Sequence, residues 1–171
     1  MLSETMQNKF NEQVNAEFYS AYLYLSMVAY FESINLPGFA AWMVAQSQEE
    51  VVHAMKIFNH IIERGGRVVL GNIDTPPSEW SSTSHAFESA YAHEKKVTGL
   101  INKLVDTAIR ENDYASNIFL QWFVIEQVEE EKSVDEIIQK LKLIGDSPNA
   151  LFMLDREMGG RTFTPPAGKV E

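Results

Sequence analysis

The chain has 171 residues, 45% of them hydrophobic, with a formal net charge of −10; this suffices for a single domain (1–171) with a substantial core, and the acidic surplus argues against nucleic acid or an anionic membrane as the main partner. There is no cysteine, which excludes disulfides, thiolate zinc sites and iron–sulfur clusters. No apolar run approaches the ~20 residues of a membrane span, and Met1-Leu2-Ser3-Glu4-Thr5 lacks the basic-then-apolar pattern of a leader, so a cytoplasmic location is expected.

Ser3 or Thr5 can cap a first helix, expected over about 5–34, with the apolar stripe Met6, Phe10, Val14, Phe18, Ala21, Leu25, Val28 and Phe31 at spacings of three and four. Leu36-Pro37-Gly38 is a short turn, so a second helix over about 38–64 should run antiparallel to the first, ending at Gly65-Gly66. Its stripe is Phe39, Trp42, Met43, Ala54, Ile57 and Ile61. Residues 67–82, with Pro76-Pro77 and a Ser/Thr cluster, read as an irregular crossover with an extended start. That length can run along a helix, so the next helix need not be antiparallel to its predecessor. A third helix over about 83–111 carries Phe87, Tyr91, Val97, Ile101, Leu104, Val105 and Ala108. Gly99 sits inside it without evident reason, at roughly 1 kcal/mol relative to Ala. Asp113 caps a fourth helix over 113–144, with Phe119, Leu120, Phe123, Val134, Ile137, Ile138 and Leu141 inward, and Ser147-Pro148 opens a short fifth helix over 148–158. The tail, 159–171, is expected to be poorly ordered from Thr164-Pro165-Pro166 onward.

Each long stripe is interrupted by polar residues. Glu17 interrupts the first, Glu50 and His53 the second, Glu94 the third, and Gln127 and Glu130 the fourth. Glu17 to Glu50 and Glu94 to Gln127 are both 33 positions, and adding 77 to 17, 50 and 53 gives 94, 127 and 130. The chain therefore reads as all-α: a four-helix bundle of two antiparallel hairpins related by a pseudo-repeat, joined by a long crossover, plus the fifth helix. A carboxylate on a face meant for burial is costly unless a charge pairs with it. Glu-x-x-His is the spacing by which four-helix di-metal proteins bind metal. Taken singly, each residue would read as a hydrogen-bonded core polar group. Together, four buried carboxylates would repel one another without a cation, whereas two iron-sized ions would satisfy all six groups. Oxygen-rich ligands with one imidazole suit Fe(II), Mn or Mg-like cations.

The sequence resembles the ferritins, specifically the haem-free bacterial and archaeal type. The resemblance runs from about Leu2 to Pro166. It includes Asn15-Ala16-Glu17, Tyr22-Leu23-Tyr24-Leu25-Ser26-Met27, Glu49-Glu50, His53-Ala54-Met55, Pro76-Pro77 and Glu126-Gln127-Val128-Glu129-Glu130-Glu131. It implies a ferroxidase that oxidises Fe(II) to Fe(III) with O₂ or peroxide and stores ferric mineral in a homo-oligomeric shell of about 24 copies. By that resemblance Glu17, Glu50 and His53 hold one iron, and Glu94, Glu130 and a bridging Glu50 the second, with Gln127 beside it. Glu49, Glu126, Glu129 and Glu130 make a third iron position, and Tyr24 is similar to a redox-active tyrosine near the centre. Relatives that bind haem carry Met one residue before the histidine; here that residue is Val52, so no haem is expected. Where many di-iron proteins repeat Glu-x-x-His, this chain has Gln127-x-x-Glu130, so the second position should bind more loosely. Two other readings stay open: a di-iron oxygenase or peroxidase, and a shell that binds iron without oxidising it. Trp122 reads as a packed aromatic, and His60, His85 and His93 as surface or packing residues.

Overall fold

The computed structural model describes residues 1–163. The expected tail from Thr164 onward lies outside them. Five helices follow one another: α1 (Glu4–Ser33), α2 (Pro37–Glu63), α3 (Thr83–Arg110), α4 (Tyr114–Ile144) and α5 (Pro148–Met158). Among the described residues there is no strand, and no helix is long and apolar enough to cross a membrane. This is the all-α bundle, with its long crossover and short fifth helix, that the periodicity predicts.

Local chemistry explains where the helices start. Side chains accept from the first free backbone amides: Ser3 Oγ from Met6 N, Ser82 Oγ from His85 N, Asp113 Oδ1 from Ser116 N, and Ser147 Oγ from Ala150 N. Helix α2 follows Leu36, which cannot cap. Its cap comes from α5: Asp155 Oδ1 accepts from Phe39 N at 2.9 Å. The approach is close enough that a Cβ on Gly38 would stand 1.6 Å from the Asp155 carbonyl oxygen, so glycine is required there.

The pseudo-repeat extends to the turns. Asn35 and Asn112, 77 positions apart, both adopt left-handed backbone, with φ of 60° and 55°. Each lets the next amide fold back onto its helix: Leu36 N donates to Phe31 O at 3.0 Å, and Asp113 N to Ala108 O at 2.8 Å. Asparagine tolerates this region better than other residues with a side chain.

Pairings along the helices give their directions. In α1 and α2, Leu2 meets Arg64, and Ser47 Oγ donates to Ala21 O, so the pair is antiparallel. Phe31 packs on Phe87, and Tyr24 donates to Glu94, so α1 and α3 are antiparallel too. Helix α3 therefore runs in the same sense as α2, and the crossover spans the bundle's length. Helices α1 and α2 pack closely, as do α3 and α4, and α1 with α3; between α2 and α4 no two Cα atoms come within 8 Å.

The core lies in two apolar blocks. One holds Tyr24, Met27, Phe31, Phe39, Trp42, Phe87 and Ile138, with α5 contributing Leu154 and Met158. The other holds Met6, Phe10, Val14, Ile57, Ile61, Ile101, Leu120 and Phe123. Leu25, expected in the α1 stripe, is 50% exposed; Phe18 and Val28 are only partly buried. The buried line passes instead through Gln13, Glu17, Ser20, Tyr24 and Met27. Polar residues hold the inward positions mid-helix, and the apolar residues beside them fall on the flank.

Candidate metal centre

Between the two apolar blocks lies a layer of buried polar groups: Glu17 from α1, Glu50 and His53 from α2, Glu94 from α3, and Gln127 and Glu130 from α4, all at most 4% exposed. Residues three apart on α2 and on α4 leave the same helix face, so each of those helices sends a pair inward. The wide gap between α2 and α4 is filled by these long side chains, not by backbone.

Two groups of ligand atoms converge. One ligand atom from each of Glu17, Glu50 and His53 lies within 4.8 Å of the others, and so do atoms of His53, Glu126 and Glu130. The His53 ring stands between them, with Nδ1 3.4 Å from Glu50 Oε2 and Nε2 4.0 Å from Glu126 Oε1. Its ring is edge-on to Trp122, centroids 5.3 Å apart, and Lys56 Nζ sits 4.1 Å from the Trp122 ring.

Glu94 is engaged differently. Tyr24, fully buried, donates its hydroxyl to Glu94 Oε1. Gln127 Nε2 lies 3.2 Å from both Glu94 Oε2 and the Glu94 carbonyl oxygen. Glu94 therefore joins neither converging group, and its carboxylate is shared between the tyrosine and the amide. Glu129 is exposed and belongs to neither group. Glu49, half-buried, is taken by Arg161, whose Nη2 donates to Oε2 at 2.6 Å.

Electrostatics follow from burial without a cation. Desolvation, and then the neighbouring carboxylates Glu94, Glu17 and Glu130, hold Glu50 well above the usual carboxylate range. Burial raises Glu17 against the opposing pull of His53 and a hydrogen bond from Gln13. Glu94 is pushed up to about 8, first by burial and then by Glu130. Burial lifts Glu49 to about 7 even with Arg161 beside it, and raises Glu126. The Tyr24 hydroxyl is driven far up by burial and by Glu94. Burial thus favours the neutral, protonated forms of Glu17, Glu50 and Glu94. One oxygen of Glu17, Oε2, is buried with no hydrogen-bond partner among the described residues. A multivalent cation would displace those protons and satisfy that oxygen.

Reading the sequence for ligands missed residues that hold them. Gln13 Nε2 donates to Glu17 Oε1 at 2.9 Å, and Gln46 Nε2 to Glu130 Oε2 at 2.8 Å. Gln13 stands one turn before the carboxylate it bonds, a usable spacing signal, whereas Gln46 stands one turn before Glu50 but bonds Glu130 on α4. Arg161 carried no such signal, because nothing in its neighbourhood points to a partner 112 residues away. Of the remaining histidines, His60 stacks on Phe119 at 3.8 Å, His93 Nε2 bonds Ser20 Oγ at 2.7 Å, and His85 is exposed.

The family model described as Ferritin-like domain matches residues 7–144. A bacterial non-heme ferritin from Bacteroides fragilis is 45% identical over 161 residues, which cover 94% of this chain and all of that protein. One from Staphylococcus aureus is 37% identical, over 95% of this chain and 98% of its own length. Among solved structures, a closed form of the Archaeoglobus fulgidus ferritin, engineered by site-directed mutagenesis, is 54% identical. It superposes with a TM-score of 0.95 over 96% of this chain and all of its own. An open pore ferritin from the same hyperthermophilic archaeon superposes at 0.94 over 95% of this chain and all of its own, again at 54% identity. The family model and the relatives extend over most of the chain, and the buried carboxylate layer lies inside the region matched; the chain belongs to the ferritin family.

Proposed function

We propose that this protein oxidises Fe(II) at the buried layer and stores it as ferric mineral inside a homo-oligomeric shell of about 24 copies in the cytoplasm. The carrying observation is the convergence of Glu17, Glu50 and His53 within 4.8 Å in the bundle interior. Two Fe(II) ions are the substrate. Glu17, Glu50 and His53 take the first. Glu50, Glu94 and Glu130 take the second, once Glu94 leaves Tyr24 and Gln127. Each pair of ions gives two electrons: with O₂ and two protons the products are two Fe(III) and H₂O₂, and with peroxide and two protons, two Fe(III) and two waters. Carboxylates favour the Fe(III) that forms, and the proton leaving Glu94 as iron binds helps keep the buried charge low. Because Gln127 offers no charge where the first hairpin has Glu50, the second position is the looser, as transit requires. Glu49, Glu126, Glu129 and Glu130 form a third position on the way out. Tyr24, hydrogen-bonded to Glu94, is the protein group best placed to supply a further electron.

The test is anaerobic Fe(II) loading followed by air, read by stopped-flow absorbance and by light scattering of the particle. Fast protein-dependent oxidation, with uptake far beyond two or three ions per chain into a hollow particle, is expected. A small oligomer that keeps only about two irons per chain would mean that the pair is a resident cofactor and that the storage reading fails.

A further inference from the structure

Arg161 lies just beyond α5, yet its side chain reaches back to α2, beside the bundle's polar layer. Its Nη2 donates to Glu49 Oε2 at 2.6 Å, and its guanidinium lies 4.4 Å from the centre of the Trp42 ring. Both side chains of the ion pair are about three-quarters buried, at 25% and 26% exposure. The other terminal nitrogen, Nη1, is buried with no hydrogen-bond partner among the described residues. A guanidinium held by one carboxylate and one aromatic face, with a buried donor unused, is not in a fully satisfied resting place. Cavities of about 280 and 430 Å³, both lined in part by Arg161, flank it, so it has somewhere to go.

We propose that Arg161 is a charge latch on the third iron position: it occupies Glu49 while that position is empty and is displaced when a multivalent cation takes the carboxylate. This rests on the reading of Glu49 as a ligand of that position. A guanidinium and a multivalent ion on the one Glu49 carboxylate repel each other and compete for its charge, and Oε2 cannot serve both. The third ion therefore binds in competition with the guanidinium and loosens its stack on Trp42 as it enters. It binds last and weakest, and an ion that leaves is replaced by the latch instead of by water. The latch sets the order of filling without bonding to the first two positions, since Arg161 is bonded to Glu49 and to none of Glu17, Glu50, His53, Glu94 or Glu130.

The experiment is an anaerobic Fe(II) titration by calorimetry on the assembled protein, comparing wild type, Arg161→Gln, Arg161→Lys, Glu49→Gln and the double variant Arg161→Gln/Glu49→Gln. In Arg161→Gln the third ion should bind about fivefold more tightly, the scale of one charge-assisted bond at a partly exposed site, with the first two unchanged. Arg161→Lys, which keeps the charge but loses the planar fork and stack, should fall between. In the Glu49→Gln background the Arg161 substitution should gain nothing. Unchanged third-ion affinity in Arg161→Gln, or a gain that persists without Glu49, overturns the latch alone. If wild type fails to bind even the first pair, the underlying iron-centre reading falls and the latch with it.

Discussion

Glu94→Gln should stabilise the metal-free protein at neutral pH and destroy part of its iron binding. The Glu94 carboxyl titrates at about 8 in the folded chain, against 4.5 in the unfolded one. Below pH 4.5 both states hold the proton and the shift costs nothing. As pH rises from 4.5 towards 8 the unfolded chain releases its proton while the folded chain keeps it, so folding stability falls. At about 1.4 kcal/mol per pH unit, the cost is about 3 kcal/mol at pH 7 and about 1 kcal/mol at pH 5. Glutamine cannot ionise, so it escapes that cost. Its amide oxygen still accepts from Tyr24, but its NH₂ faces that of Gln127 and forfeits one bond, worth about 1 kcal/mol. The net expectation is a gain of about 2 kcal/mol at pH 7, or about 5 °C in Tm, shrinking to near zero at pH 5. Scanning calorimetry of metal-free wild type and variant at both pH values measures it. Anaerobic Fe(II) should reverse the order, because only the wild type is stabilised by the second ion. A variant less stable than wild type at pH 7, or a gain equally large at pH 5, would refute the assignment of the strain to a buried carboxylate.

Glu50→Ala should weaken anaerobic binding of both ions by at least about 100-fold, since even outer-shell changes cost 10- to 100-fold; one ion retained at wild-type affinity in calorimetry would show that Glu50 does not bridge. Asp155→Ala should cost about 1–2 kcal/mol, measured by denaturant unfolding, because it strips α2 of its cap, while Asp155→Asn should lose less. Gly99→Ala should raise stability by about 0.5–1 kcal/mol, because an added Cβ there meets nothing within 4 Å and alanine is the better helix former. A loss of stability instead would mean that another copy approaches Gly99 in the assembly.

The helices and the inward turn of the polar layer were legible because both follow from periodicity. Glu17, Glu50, His53, Glu94, Gln127 and Glu130 interrupt apolar stripes at matched intervals, and the fold buries all six. The stripe itself was less legible where the layer is densest. Leu25 and Phe18 look like core by residue type, but Tyr24, Glu17 and Gln13 hold the inward positions, and type and position disagree wherever the interior is polar. The turns hid a second copy of the repeat, since Asn35 and Asn112 are unremarkable until their backbone angles are known. What sequence could not offer was any contact between distant elements. The cap on α2 comes from α5, and the cation on Glu49 from beyond it. Neither leaves a local pattern, because no helical spacing links residues more than 110 positions apart.

The missing backbone approach between α2 and α4 gives the bundle a spine and a fore-edge. Its two hairpins are bound along α1 and α3, where the helices lie side by side, and face each other across α2 and α4 through side chains alone. At that fore-edge, α2 reaches α4 through Gln46 to Glu130, His53 towards Glu126, and the ring of His60 stacked on Phe119. Ions coordinated from α1, α2, α3 and α4 together would act as a clasp across the opening. Loading should then stiffen the whole hinge instead of one pocket, and amide exchange should slow along the facing sides of α2 and α4 more than along the spine. A cargo of ions would thus set the mechanics of its own carrier: an emptied bundle would breathe along α2 and α4, and a filled one would be held shut there.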